Sequence, residues 1–241
     1  MNECPVAHAK AYPFCIPEGS FVLERGGWRS LAVMPKLKNR HAVIASGSNA
    51  SPDRLIAKYV DHTHLLEDTI PVVRAKLHDF DAVYSAHISR YGSIPATLAY
   101  APGTIADVFV TWLTDAQLER MHETKAVGVN YDFVKLSGIH LLCENDEGLT
   151  TVHAYLSKHG CLNRGGKPIS LAALNVEERQ WQAMTQPEVL DYVCARLAPD
   201  EHTDTFIRQH IDCASTRAQR THHLTKDALS HRWPGTTVIT P

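Results

Sequence analysis

The stretch His41-Ala42-Val43-Ile44-Ala45-Ser46-Gly47-Ser48-Asn49 decides how this chain folds, because it is the first part with a regular pattern. Its opening residues form a short, mostly apolar run with β-branched side chains, which predicts a buried strand that ends at the turn. Ser51 and Pro52 then predict the beginning of a helix, since serine is a common cap and proline suits the first helical position.

The turn itself, Ser46-Gly47-Ser48-Asn49, has two interpretations. A strand that passes through such a turn into a helix directs several backbone N–H groups to one point, and this geometry suits a carboxylate or a phosphate. The same residues are common turn formers, so the segment can also be an ordinary connection.

The sequence divides into three regions around this pattern. Residues 1–40 are interrupted repeatedly by proline and glycine, so we expect an irregular N-terminal extension. Residues 41–160 combine strand-like and helical segments and form the expected core. Residues 161–241 become helical from about residue 170, and we expect a helical C-terminal extension packed on the core.

Apolar periodicity, β-branched content and turn residues predict the individual elements. The expected strands are 70–76, 82–88, 95–100, 105–113, 131–136, 138–143 and 150–156, with a turn at Pro102-Gly103. The expected helices are 115–124, 170–184, 187–198 and 203–213. The polar tail beyond residue 214 is expected to be partly disordered or to make oligomer contacts.

The composition indicates an ordinary globular protein. The 241 residues carry a formal net charge of −2, which gives no reason to expect nucleic acid or an anionic membrane as a partner. No apolar run reaches the length of a membrane span, and Met1-Asn2-Glu3-Cys4 lacks the basic and apolar regions of a signal peptide. The cysteines form no Cys-x-x-Cys pair and the histidine pairs lack metal-site spacing. We therefore expect reduced thiols, a cytoplasmic location, no metal and no cofactor.

The helix around residue 120 contains the clearest candidate for a functional side chain. Thr114 and Gln117 have the spacing of a capping box, which sets where the helix begins. Leu118, Met121 and Lys125 then lie on one face, because residues three, four and seven positions apart are neighbours on a helix. The lysine at the end of this face either reaches water and offsets the helix dipole, or is held in the wall of a pocket.

In their order and spacing, these features resemble the γ-glutamylcyclotransferase superfamily, which includes the plant AIG2-like proteins. The matching segments are Ala45-Ser46-Gly47-Ser48-Asn49-Ala50 with Arg54-Leu55, Lys76-Leu77-His78-Asp79-Phe80, Ala96-Thr97-Leu98 with Pro102-Gly103, and Met121-His122-Glu123-Thr124-Lys125 followed by Tyr131 and Tyr155. The resemblance covers about residues 41–160. It implies an α+β fold, a small mixed-sheet barrel with a helix across it, and a pocket lined by the turn.

The resemblance also implies a reaction, and one substitution changes how that reaction could proceed. The family uses a glutamate at the end of this helix as acid/base when the α-amine of a γ-glutamyl substrate attacks the γ-carbonyl, which releases 5-oxoproline. Here that position is occupied by Lys125, and Ser46 replaces the family's tyrosine before the turn. Lys125 could be a neutral base, a nucleophile that forms an imine or acyl intermediate, or a cation that binds a carboxylate or an oxyanion. Glu123 is an alternative carboxylate for this role if the end of the helix unwinds.

From this pattern we expect an enzyme that acts on a small amide or γ-glutamyl-type substrate by acyl transfer, cyclisation or hydrolysis. The expected catalytic residues are Lys125, Tyr131 and Tyr155, and the residues expected to bind a carboxylate of the small-molecule substrate are Ser46, Gly47, Ser48 and Asn49. The alternative is a non-catalytic protein that binds a small ligand or a partner with the same fold. The C-terminal helices could form a homo-oligomer interface.

Overall fold

The fold is known from a computed structural model that describes residues 4–35 and 37–239. The start Met1-Asn2-Glu3, on which the expectation about a signal peptide partly rests, lies outside these residues. The helices are α1 (Pro5–Lys10), α2 (Pro52–Tyr59), α3 (Asp115–Lys125), α4 (Gln186–Leu197), α5 (Thr203–Asp212) and α6 (Ala214–Thr225), with 3-10 helices at Ser48–Ala50 and Val60–Leu66. The strands are β1 (Phe21–Glu24), β2 (Gly27–Ser30), β3 (His41–Ala45), β4 (Ile70–Tyr84), β5 (Ala96–Leu113), β6 (Tyr131–Cys143), β7 (Gly148–Ser157), β8 (Asn163–Arg164), β9 (Lys167–Pro168), β10 (Ser170–Leu171), β11 (Val176–Glu177), β12 (Ala183–Met184) and β13 (Thr236–Val238).

Five of the strands close into a barrel. β5 pairs with both β3 and β4, and β7 and β6 complete the circuit, so that the order β5-β3-β7-β6-β4 returns to β5. These pairings are antiparallel except the one between β3 and β7, which is parallel. The sheet is therefore mixed, and the expected α+β class with a small mixed-sheet barrel is confirmed.

The side chains on the two faces of the barrel strands pack in different places. Ile44, Val73, Val108, Leu136 and Val152, one from each of the five strands, belong to a single buried cluster that fills the barrel. Because successive residues of a strand point to opposite faces, their neighbours in the strands point outward.

The outward face carries the two helices that flank the candidate site. Val43 of β3 and Phe109 of β5 pack in a second buried cluster with Leu55 of α2 and with Leu118 and Met121 of α3. The predicted inward face of α3 is therefore the face that is buried. This packing places the end of α3 beside α2.

α3 begins and ends as the sequence predicts. The Gln117 N–H donates to Thr114 Oγ1 over 3.4 Å, and the Thr114 N–H donates to Gln117 Oε1 over 3.0 Å. The last helical residue is Lys125, after which Ala126 adopts a left-handed conformation with a φ of 48°. Both ends of the helix are thus set by local interactions.

We expect Thr114→Ala to lower the free energy of unfolding by about 1 kcal/mol, because it removes the side-chain acceptor of one of the first helical N–H groups. Gln117→Ala is expected to cost more, since the Gln117 amide also donates to the carbonyls of Leu65 and Asp68. Urea unfolding followed by circular dichroism measures both changes. Equal midpoints for the wild type and Thr114→Ala would contradict the capping role.

The first part of the chain is more regular than expected. Within the described part of residues 1–40, α1 precedes a hairpin of β1 and β2, and β1 extends the sheet by pairing with β4. Most of the prolines and glycines lie at the connections between these elements rather than inside them. Frequent chain breakers therefore mark short elements here, not an irregular segment.

The prediction of a turn at Pro102-Gly103 is wrong, because these residues lie inside β5. Opposite them, Asp79 of β4 has a φ of 64°, and the register of β4 and β5 shifts at this point. The Gly103 N–H donates to Asp79 Oδ1 over 2.7 Å. The turn-forming residues therefore build a bulge that bends two long strands without ending them, so the shorter predicted strands merge.

The prediction of a helix at 170–184 is also wrong. This segment contributes the short strands β10, β11 and β12, of which β10 pairs with β4 and β11 with β5. A short apolar run fits a strand and a helix equally well. Here the segment forms strands because the backbone of β4 and β5 is available to pair with it.

The remaining C-terminal helices agree better with the sequence. Those expected at 187–198 and 203–213 are present as α4 and α5. The tail beyond residue 214, expected to be partly disordered or to make oligomer contacts, instead contains the ordered elements α6 and β13. Leu190, Phe206 and Leu224 of these helices pack with Val6 of α1 in a third buried cluster. Among residues 4–35 and 37–239, no helix combines the length and the apolar character needed to cross a membrane.

Candidate active site

A cavity of about 530 Å³ lies where α2, the end of α3, the N-terminal segment and residues 87–95 meet. Ser48, Lys125 and Tyr131, all singled out from the sequence, line it. Its size falls in the range of small-molecule sites.

Lys125 lies in the wall that the end of α3 forms. Its Nζ is 5.1 Å from the centroid of the Tyr131 ring and 5.7 Å from that of the Tyr155 ring. None of the salt bridges between described residues involves this lysine. Burial lowers the pKa of Lys125 to about 8. Roughly a tenth of its amine is therefore neutral at pH 7.

The two tyrosines contact Lys125 with their ring faces. Tyr131 lines the cavity, whereas Tyr155 is anchored from behind, with its hydroxyl 2.9 Å from His122 Nδ1. Burial raises the pKa of both phenols, so both stay neutral at physiological pH. The structure thus brings Lys125, Tyr131 and Tyr155 together, and the rings favour the charged amine by cation–π attraction while burial opposes it.

The turn residues expected to bind substrate divide between the cavity and the core. Ser48 lines the cavity, as does Tyr91. Asn49 is buried, and its Nδ2 donates to Met121 Sδ over 3.5 Å. Ser46 and Gly47 are half-buried. Of the four, Ser48 is the one that presents its side chain to the cavity.

A tyrosine from the N-terminal segment closely approaches this turn. The buried Tyr12 oxygen accepts a hydrogen bond from the N–H group of Ala96 over 2.7 Å. A Cβ on Gly47 would overlap the Tyr12 hydroxyl, so glycine is needed for this close approach. No local sequence pattern indicates this contact, because Tyr12 and Gly47 are far apart in the chain.

The cavity is cationic, although the whole chain has a formal charge of −2. Among the residues that the structure describes, its lining contains five lysine and arginine side chains and a single carboxylate: Arg54, Lys58, Arg90, Arg120, Lys125 and Glu123. The Glu123 carboxylate is 59% exposed and lies 2.7 Å from Arg120 Nη1. Glu123 is thus at the rim and held by an arginine, while Lys125 takes the inner position.

Lys58 is a cavity residue that sequence reasoning missed. Its Nζ donates to Thr124 Oγ1 over 3.1 Å. Burial, followed by the charges of Lys125 and Arg54, lowers its pKa well below the usual value. A signal for it existed in the sequence, since Arg54 and Lys58 are four positions apart and share one face of α2.

His87 adds polarity to the cavity without adding charge. Its Nδ1 lies 2.7 Å from Ser85 Oγ, and its ring is 4.8 Å from that of His159. Burial, with smaller effects from His159 and Lys125, lowers its pKa to about 3. The ring is therefore neutral at physiological pH.

Comparisons with known proteins give distant similarities to solved structures. No family model and no curated protein matches it. A solved γ-glutamyl cyclotransferase is similar with 14% identity and a TM-score of 0.38, over 83% of this chain and 94% of that one. YkqA from Bacillus subtilis is similar with 15% identity and a TM-score of 0.39, over 73% and 55%. A protein of Arabidopsis thaliana known from a solution structure shares 20% identity with a TM-score of 0.36, over 50% and 70%. At these identities and TM-scores the similarities say nothing of activity.

Proposed function

We propose that this protein is a γ-glutamylcyclotransferase-like enzyme that acts on a small amide or γ-glutamyl-type substrate, with Lys125 as its acid/base. The observation that carries the proposal is the amine of Lys125, which has no carboxylate partner among the described residues and lies beside two tyrosine rings in a small-molecule-sized cavity. A partly neutral amine in such a place can accept a proton near neutral pH.

In this proposal the neutral amine of Lys125 takes a proton from the α-ammonium group of the substrate. The freed amine attacks the γ-carbonyl carbon, and the bond between that carbon and the leaving nitrogen breaks. The Lys125 ammonium then gives its proton to the leaving nitrogen. The neutral Lys125 amine takes the second proton from the new ring nitrogen and passes it to the released amine, which leaves as an ammonium. The products are 5-oxoproline and a free amine or amino acid, and the reaction consumes no other reactant.

The attack places negative charge on the former carbonyl oxygen. The neutral Tyr131 hydroxyl and the cationic side chains of the same cavity are the groups that can stabilise this charge. Their positions are set by α2, α3 and the start of β6 rather than by the substrate. Such preorganisation lowers the barrier because the groups do not have to rearrange during the reaction.

The second candidate is a protein that binds an anionic small molecule without turnover. It is favoured by the excess of positive charge in the cavity and by Glu123, whose carboxylate is held by Arg120 at the rim. In that case Lys125 acts as a cation that binds a carboxylate.

A panel of γ-glutamyl amines and γ-glutamyl amino acids, with 5-oxoproline measured by mass spectrometry, tests the proposal. Formation of 5-oxoproline by the wild-type protein supports it. If only Lys125→Glu forms the product, the cavity is the site but the native protein is not a cyclotransferase. If neither forms the product and an anionic ligand binds, the second candidate is correct.

Trapping with borohydride and a carbonyl substrate would show a nucleophilic Lys125 as an increase in mass.

The pH dependence of the rate is expected to distinguish a base from a cation. The pKa of Lys125 is about 8, and a base works in its neutral form, so the neutral fraction falls about tenfold for each pH unit below 8. We therefore expect kcat/KM to rise with pH and to level off above about pH 8. Initial rates between about pH 6 and pH 9.5 measure this. A rate that falls above pH 8 would show that the ammonium form is required.

A further inference from the structure

The cavity contains more unpaired positive charge than a γ-glutamyl amine can balance. Arg54, Arg90 and Lys125 take part in no salt bridge between described residues, whereas cations elsewhere are commonly paired, as Arg74 is with Asp107. A γ-glutamyl amine brings one carboxylate and one ammonium. Because unpaired cations around one cavity repel each other, the site favours a ligand with additional negative charge.

Arg54 is already oriented for an acceptor. Its guanidinium carbon lies 4.5 Å from the centroid of the Phe14 ring and 5.7 Å from that of the Tyr91 ring. Stacking uses the flat faces of the guanidinium group, and the N–H groups at its edge stay available to an anion. A preoriented arginine loses less conformational entropy when it binds.

Arg90 lies where this cavity meets a second one. The second cavity, of about 440 Å³, is lined partly by α6 and shares His87, Arg90 and Asn130 with the first. α6 contributes Arg217 to its wall. The positive charge therefore continues past Arg90 toward the C-terminal helix, and the space exceeds the cavity around Lys125.

We propose that the joined cavities bind a phosphate-bearing small molecule, with its phosphate group held between Arg54 and Arg90. A phosphate carries close to two negative charges on one compact group, and arginine binds it through paired N–H groups. The inference rests on the proposed function in one respect, since it takes the phosphate to belong to the leaving part of the substrate. Binding itself does not depend on turnover.

Titration calorimetry with inorganic pyrophosphate and with citrate, at constant ionic strength, tests this inference. The variants are Arg54→Gln/Arg90→Gln and the matched control Arg25→Gln/Arg208→Gln, which removes the same charge at exposed residues outside both cavities. We expect the wild type and the control to bind pyrophosphate with affinities equal within about twofold. The cavity variant should bind about tenfold more weakly or worse, because charge-assisted hydrogen bonds are lost. The single variant Arg90→Gln, at an exposed position, should weaken binding in the same direction if the double variant does not fold.

Three results would overturn the inference. They are absence of pyrophosphate binding to the wild type, equal affinity of the wild type and the cavity variant, and citrate binding as tight as pyrophosphate binding. The 5-oxoproline assay separates this inference from the proposed function. Turnover without pyrophosphate binding contradicts the inference alone, and pyrophosphate binding without turnover contradicts the proposed function alone.

Discussion

Lys125→Met is expected to lower kcat/KM for 5-oxoproline release by about 10²–10⁴-fold, the usual contribution of a general base. Methionine keeps an unbranched apolar stem but has no amine to accept a proton. The loss should not come from unfolding, because Lys125 has no carboxylate partner in the described chain that its removal would leave unpaired. Removing its charge also relieves the repulsion that, after burial, contributes to the lowered pKa of Lys58.

Two further variants separate the possible roles of Lys125. Lys125→Arg keeps a positive charge, but a guanidinium stays protonated at every accessible pH and cannot be a base. If Lys125 is a base, the arginine variant is as inactive as the methionine variant, whereas a carboxylate-binding role predicts partial rescue. Lys135→Met is the matched control, since Lys135 is exposed on β6, and should leave kcat/KM unchanged. Wild-type kcat/KM in Lys125→Met would contradict the proposed mechanism.

Gly47→Ala is expected to lower the free energy of unfolding by about 1–3 kcal/mol, the usual cost of forcing extra volume into a packed site. The added methyl group would overlap the Tyr12 hydroxyl, and Tyr12 is buried with its oxygen bonded to the Ala96 N–H. The N-terminal segment must therefore shift away from the turn. Gly148→Ala is the control, because a Cβ at Gly148 meets open space, and its effect should be small.

A double-mutant cycle makes this prediction specific to the Tyr12 contact. Tyr12→Phe alone should cost about 1–3 kcal/mol, because the buried N–H group of Ala96 loses its acceptor. In Gly47→Ala/Tyr12→Phe the overlapping oxygen is absent, so the double variant should lose less stability than the sum of the two single variants. Urea unfolding of the four proteins measures the coupling energy. Strictly additive effects would show that the two residues do not interact.

The features that the sequence predicted well depend on short-range interactions. The capping box of Thr114 and Gln117, the buried face of α3 and the end of the helix at Lys125 all involve residues within one or two helical turns. Periodicity therefore identified both the helix and its inward lysine. The expectation of the α+β class rested on the resemblance of short motifs, which are themselves local strand and turn patterns.

The errors concern residues whose partners lie far away in the chain. Pro102-Gly103 has the composition of a turn, but pairing with β4 and the bond to Asp79 keep it within a strand as a bulge. The segment 170–184 became strand because edges of β4 and β5 were available to pair with it. A local pattern contains no information about such edges.

By itself, the sequence predicted the strand and turn at residues 41–49, the beginning of a helix at Ser51-Pro52 and the lysine at the end of α3, and the resemblance of its motifs implied the mixed α+β class. Only the tertiary structure brought Tyr12 onto the turn at Gly47, and only it gathered Arg54 and Lys58 of α2 with Arg90 and Lys125 around one cavity. The physical reason is the range of the interactions. Helix caps and periodic faces act over a few residues, whereas the charge of a cavity depends on which distant side chains the packed barrel places together.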